Sequence, residues 1–178
     1  NRLDQRVSRT RTWDALLAYC ALSANPVGRL VLGVFDASTP QRDALSDSIC
    51  SALQVIEHCQ DVAEDCARGR IYLPHEDLER FGCSEAELTK APASPALRGV
   101  VALQIERARM LLAQGEPLLA ELRGLARIAV AGFAAGGHAT CDAIARADFD
   151  VTSSTLRARR WNLVAWWARL LGRAWRAA

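Results

Sequence analysis

Asp61-Val62-Ala63-Glu64-Asp65 is the stretch of this sequence with the clearest capacity for chemistry. On a helix, carboxylates at i and i+4 stand one turn apart on one face. Gln54 and Glu57 share that face, seven and four residues before Asp61. Like charges so placed repel, so the arrangement does not serve the helix's own stability. It suits a hard divalent cation: Mg²⁺ takes one or two carboxylates, keeps several waters and bridges to substrate phosphates. Arg68 and Arg70 follow closely and could hold the remaining phosphate oxygens. The plainer reading is a solvated acidic face ending in basic residues that suit a helix C-terminus. Against it, the opposite face of this helix is strongly apolar, and the acids run directly into Gly69-Arg70-Ile71-Tyr72-Leu73-Pro74, an unusual string for a surface loop.

The elements that position these residues are helices. Leu45, Ile49, Leu53 and Ile56 recur at spacings of four, four and three, a buried stripe on a helix from about 41 to 67. Upstream, Trp13 to Phe35 is apolar and helix-like, with a kink expected at Asn25-Pro26, because proline removes a donor and disfavours helical geometry before it. A polar loop with a stop at Thr39-Pro40 separates the two. Gly69 suits a helix C-terminal cap, Ile71 to Leu73 an extended connector, and Pro74 the first turn of a short helix through Arg80. Beyond a Pro/Ser linker at 90–95, Ala96 to Gln114 reads as helix. Pro117 opens another toward Ala135, where Gly136-Gly137 either breaks it or permits close helix contact. A short helix from Thr140, a loop over 148–154 and a last helix from Leu156 to Ala177 complete the chain. No alternating strand pattern occurs, and the class is all-α.

The chain has 178 residues, 51% of them apolar, enough for a real core and read as one domain over 1–178. A formal charge of +2 calls for no nucleic acid. No uncharged run reaches the roughly 20 residues of a spanning helix. The six cysteines show no C-x-x-C spacing and only three histidines accompany them, so reduced, structural thiols in a cytosolic protein are expected rather than zinc ligands or disulfides. The first residues are polar and basic, without initiator Met or signal core, which suggests a start inside a longer protein.

Two long motifs in order carry a family resemblance. Leu53-Gln54 with Gln60-Asp61-Val62-Ala63-Glu64-Asp65-Cys66-Ala67-Arg68-Gly69-Arg70-Ile71-Tyr72-Leu73-Pro74 resembles the second aspartate-rich motif of squalene and phytoene synthases. Tyr19-Cys20-Ala21-Leu22-Ser23-Ala24-Asn25-Pro26-Val27-Gly28-Arg29 resembles that family's Tyr-Cys…Val-Gly helix, in a form most like the bacterial hydroxysqualene synthase branch. Ala147-Asp148-Phe149-Asp150-Val151 is similar to the turn before the family's last helix.

The resemblance implies an isoprenoid synthase helical bundle around an apolar cavity, of which this chain is the C-terminal part, lacking the N-terminal helices and their first aspartate-rich motif. Asp4 and Asp14, ten apart, do not replace that motif. It implies Mg²⁺ held by Asp61 and Asp65, a prenyl diphosphate substrate, Gln54 on the diphosphate side of the cavity, Tyr19 handling the carbocation, Arg70 on phosphate, and Ser23 and Val27 lining the cavity. The implied reaction converts presqualene diphosphate to hydroxysqualene. Head-to-head prenyl condensation to presqualene diphosphate or phytoene is the alternative within the family, and a non-catalytic chain that binds prenyl diphosphate or membrane the alternative outside it. Other enzymes of squalene biosynthesis are partners the resemblance allows. Glu57 stands where the family usually has Asn, and His58-Cys59 where this branch carries an aromatic pair.

Two features lie outside the motifs. His138 in its Gly-rich stretch and His75 after Pro74 read first as ordinary structural or exposed histidines. Trp161, Val164, Ala168, Leu171 and Trp175 form an apolar stripe among Arg159, Arg160, Arg169, Arg173 and Arg176. This is either a final helix packed on the core with arginines reaching to water, or a basic amphipathic helix lying on the inner face of the membrane.

Overall fold

Three of the long helices begin as their sequences ask. Thr12, Thr39 and Ser94 hold extended backbone, and their hydroxyl oxygens accept from the N–H groups of Ala15, Arg42 and Leu97 at 3.2, 3.3 and 3.2 Å. Each bond satisfies a donor the first turn leaves open. Pro40 and Pro95 follow where a missing N–H costs nothing, so Thr39-Pro40 starts a helix rather than stopping one. The computed structural model describes residues 8–154 and 156–177; the polar first residues, with Asp4, lie outside the described residues.

The chain is all-α. Its helices are α1 (Trp13–Ser23), α2 (Asn25–Val34), α3 (Pro40–Gln60), α4 (Val62–Ala67), α5 (His75–Phe81), α6 (Pro95–Gly115), α7 (Leu118–Glu121), α8 (Gly124–Arg146) and α9 (Arg160–Ala177), with a 3₁₀ turn at Glu85–Glu87. Among the described residues the one β-type pairing is an isolated parallel bridge between Arg9 and Ile71. The central contact is α3 along α6; α2 lies on α3, and α8 touches both α3 and α6 and carries α9 on its other side. Leu16, Leu32, Val55, Leu97, Leu112, Leu118 and Ile144 fill the core. Two charged groups are buried with them: Arg127 donates to the Leu122 and Ala120 carbonyls (2.6 and 3.2 Å), and Asp77 on α5 accepts from Gln104 (2.8 Å) and Arg107 (2.5 Å) of α6, which ties α5 to α6.

The helix bounds differ from the sequence expectation in four places. The helix carrying the acids is broken at Asp61 into α3 and α4. Asp61 leaves helical geometry at φ −98°, ψ 12°, although its N–H still reaches the carbonyl of Glu57 and its carbonyl still accepts from Asp65. The helix opened by Pro117 ends after four residues, because Leu122 is extended, and a new helix begins at Gly124. That helix then runs unbroken through Gly136-Gly137 to Arg146, absorbing the separate helix expected from Thr140. Gly137 serves close packing: a Cβ there would stand 2.9 Å from Leu53 Cδ2 and 3.2 Å from both Leu112 methyls. Finally, α9 starts at Arg160 rather than Leu156, whose carbonyl accepts from Gln60 Nε2 at 2.7 Å.

All six cysteines are free, and four of them are buried. Burial pushes the Cys20 thiol up to about 12 and the Cys141 thiol to about 11, which leaves them as small apolar side chains at neutral pH. Trp13–Val34 and Gly124–Arg146 are long and apolar enough to cross a bilayer by length and composition. The first is interrupted at Ala24 and the second is more than half buried in the core; neither property places a helix in a membrane.

Candidate functional site

The expected site residues fall into two neighbouring hollows. The larger is a cleft of about 270 Å³ between α2, α3 and α8. Ser23 and Val27 line it, with Ile49, Leu53, Val130 and Phe133 supplying most of the apolar wall, and Gln54 and Glu57 stand at its polar side. Gln54 Nε2 donates to Glu57 Oε2 at 3.3 Å. Ser23 is turned partly inward on its own helix, donating to the Tyr19 carbonyl at 3.0 Å.

The smaller hollow is a narrow crevice where α3 and α4 meet the connector to α5. Asp65, Arg70, His58 and Tyr72 line it. Residues 8–10 hold the connector in place: Ile71 donates to the Ser8 carbonyl (2.9 Å) and Thr10 to the Ile71 carbonyl (3.0 Å). Gly69, at φ +80°, makes the turn that redirects the chain out of α4, a conformation L side chains disfavour. The N–H of Arg70 then bonds back to the Asp65 carbonyl at 2.9 Å.

Aromatic stacking joins the two hollows. The His58 ring lies flat on Tyr72, centroids 3.8 Å apart at 17°, and Tyr19 stands against both, at 5.8 Å from His58 and 5.2 Å from Tyr72. His58 Nε2 is 3.3 Å from Gln54 Nε2, and Nδ1 is 3.7 Å from Asp65 Oδ2. Buried His58 therefore links the cleft's glutamine to the crevice's acid. This cluster is what sequence reasoning missed. His58 stood out there only as a departure from the family's aromatic pair; its position seven residues before Asp65 was the available signal.

Asp61 and Asp65 remain one turn apart, but they do not share surroundings. Asp61 is exposed at the α3–α4 break, and no side chain donates a hydrogen bond to its carboxylate among the described residues. Burial, and then the charges of Asp65 and Glu64, push its carboxyl above the usual carboxylate range. Arg68 pairs at the surface with Glu64 at 2.6 Å. It does not line the crevice that holds Arg70.

The donors on this face are all oxygens, from Asp61, Asp65, Glu57 and the Gln54 amide, which matches the preference of a hard divalent cation. Mutual repulsion of the carboxylates is the state a cation would relieve. Among the described residues no three His, Cys, Asp or Glu side chains converge as a complete protein cage requires. The two aspartates therefore fit Mg²⁺ as one share of a coordination sphere shared with water and phosphate. His75 lies exposed beside Glu79 (3.7 Å), apart from both hollows.

Comparison with known proteins places this geometry in a lineage. A family model described as squalene/phytoene synthase matches residues 1–166. A hydroxysqualene synthase of Rhodopseudomonas palustris is 37% identical over 123 residues, covering 68% of this chain and 42% of that protein. A chloroplastic phytoene synthase of Daucus carota is 35% identical over 133 residues, covering 71% and 33%. The crystal structure of the squalene synthase HpnC from Alicyclobacillus acidocaldarius superposes with a TM-score of 0.80 at 40% identity, over 84% of this chain and 57% of that one. The chain thus spans about two fifths or less of the length of these two curated relatives. With a family model matching all but its last twelve residues and all-α architecture shared with a solved relative, the chain belongs to the squalene/phytoene synthase family.

Proposed function

We propose that this chain forms the second half of the active site of a Mg²⁺-dependent synthase acting on prenyl diphosphates, and that the whole protein converts presqualene diphosphate to hydroxysqualene. The observation that supports this most is the layout of α3. One helix carries an apolar cleft wall (Ile49, Leu53), then a polar rim (Gln54, Glu57), then an acid at its broken end (Asp61), with Asp65 and Arg70 just beyond.

That sequence of environments suits a molecule with a long hydrocarbon and a diphosphate head. The hydrocarbon lies against the apolar wall of Val27, Val31, Ile49, Leu53, Val130 and Phe133. The head lies toward Gln54 and the acids, with Arg70 directed at phosphate oxygens. Asp61 and Asp65 would hold Mg²⁺, which would supply charge neutralisation for the departing diphosphate. Tyr19 stands against the buried His58–Tyr72 stack between the two hollows, and its ring is the aromatic group assigned to stabilising a developing carbocation. Reaction breaks the carbon–oxygen bond with its electron pair leaving on diphosphate. Water then adds to the rearranged cation and loses a proton. Gln54 and Glu57 at the cleft rim are the groups placed to orient that water and take up its proton.

The match to phytoene synthases at comparable identity keeps condensation of two prenyl diphosphates as a second reading. Product analysis separates the two. The complete protein supplied with presqualene diphosphate and Mg²⁺ is expected to release hydroxysqualene. Formation of presqualene diphosphate or phytoene from prenyl diphosphates, with presqualene diphosphate left untouched, would establish condensation instead. No turnover of either by a folded protein would leave a binding protein.

A further inference from the structure

The last helix shows a feature that the cleft and its chemistry do not use. Polar contacts on one side fix the roll of α9. Asp142 of α8 accepts from Trp166 Nε1 (2.7 Å) and Asn162 Nδ2 (3.1 Å), Trp167 Nε1 donates to the Ile128 carbonyl (3.0 Å), and Arg173 pairs with Glu116 (3.3 Å). Leu170, Leu171 and Ala174 are buried beneath these contacts. Of the apolar stripe expected from sequence, Leu171 is thus the one member that packs on the core. The other four face out.

At about 100° per residue, Val164, Trp175, Ala168 and Trp161 fall within about 60° of one another around the helix. Trp161 is 85% exposed, Trp175 64% and Val164 50%. The two indoles lie on one line about 21 Å apart along the axis. Single exposed apolar residues are ordinary. An aligned stripe with a large aromatic at each end, held outward by anchors on the opposite side, is not.

The charge around the stripe identifies its partner. Residues 151–178 contain six arginines and no acid, whereas the first 150 residues carry 16 basic against 20 acidic side chains. Arg157, Arg159, Arg160 and Arg176 make no ion pair among the described residues, and Arg169 lies over the Trp166 ring (5.2 Å). Around the helix, Arg160 falls on one flank of the stripe and Arg169 and Arg176 on the other. A second copy docking here would bring like-charged arginines together. An anionic bilayer offers what the surface asks for: a negative headgroup layer for the arginines above hydrocarbon for the tryptophans.

We propose that α9 is an interfacial anchor that lays Trp161, Val164, Ala168 and Trp175 into an anionic lipid surface. The family-model match ends at residue 166, so Trp175 and the last three arginines lie beyond it. The inference does not depend on the reaction proposed above. It does place α8, whose Val130 and Phe133 line the cleft, one helix away from the lipid.

The test is flotation of the purified complete protein with phosphatidylcholine vesicles made with and without phosphatidylglycerol. The expected result is binding to the anionic vesicles that weakens at high salt. R159Q/R160Q/R176Q should lose on the order of 100-fold in binding, at about five-fold per charge. W161S/W175S should lose at least about ten-fold, with helical circular dichroism unchanged in both variants. Three results would overturn the proposal. One is absence of preference for anionic vesicles, and another is binding that both variants retain. The third is a stripe already covered in solution, seen either as a dimer that W161S/W175S converts to monomer or as an unchanged aqueous-quencher response of the tryptophans in that variant.

Discussion

Two carboxylates, Asp142 and Asp61, show how differently this molecule treats its charges. Asp142 sits between α6, α8 and α9 and accepts from Arg109 (2.6 Å), Asn162 and Trp166. Burial alone would raise its carboxyl, but the hydrogen bonds of Trp166, Arg109 and Asn162 outweigh it and hold the group below the usual carboxylate range. Asp61 has the reverse balance: burial and the neighbouring acids raise it, and no side chain bonds to it among the described residues. A carboxylate that builds the fold is surrounded by donors. One that the fold leaves crowded among its own kind is available to something outside the chain.

The sharpest way to break that comparison is to neutralise each in turn. In the complete protein, Asp61→Asn should cut turnover on the order of 10²–10³-fold while leaving the thermal midpoint unchanged or slightly raised, since it removes a repelled charge. Clear destabilisation with activity retained would refute its assignment. Asp142→Ala should do the opposite to the fold, costing about 2 kcal/mol in urea unfolding because three donors lose their acceptor.

Packing predicts an effect of similar size at a position with no charge. Gly137→Val must push Leu53 and Leu112 aside, at a cost of about 1–3 kcal/mol, and should narrow the cleft that Leu53 lines. Acid titration sharpens the comparison further. The stability that Asp142 contributes is present above the ordinary carboxylate pKa and is lost as pH falls through its lowered folded value. The Asp61 carboxyl, raised in the fold, favours the folded state when protonated and costs stability as pH rises past the ordinary carboxylate range. Asp142→Asn should therefore flatten the acid limb of stability against pH, while Asp61→Asn should raise the plateau near neutrality. The smallest effect belongs to Arg68→Gln, whose exposed pair with Glu64 should matter by less than about 0.5 kcal/mol.

Much of this was legible from residue spacing. The apolar repeat of α3, the interruption near Asn25 and the cap at Gly69 follow from local rules that tertiary contacts did not override. Where the reading departed, the cause was long-range. Gly136-Gly137 reads as a possible break until Leu53 and Leu112 are seen to require a residue without a side chain. The stripe on α9 reads as either a core face or a lipid-facing one until the roll set by Asp142 and Glu116 turns Trp161 and Trp175 outward. The candidate site divides in the same way. Asp61, Asp65, Gln54 and Arg70 were found by type and spacing. The His58–Tyr72–Tyr19 cluster comes from three separate elements, and the spacing of His58 from Asp65 was its one local signal.

The most direct test of the central claim is a product assay on the complete protein with presqualene diphosphate, run with Mg²⁺, with chelator, and with Asp61→Asn and Asp65→Asn. Hydroxysqualene is expected only with Mg²⁺ and intact aspartates, while both aspartate variants unfold at the parent temperature. Product formed at the parent rate under chelation, or by either folded aspartate variant, would contradict it.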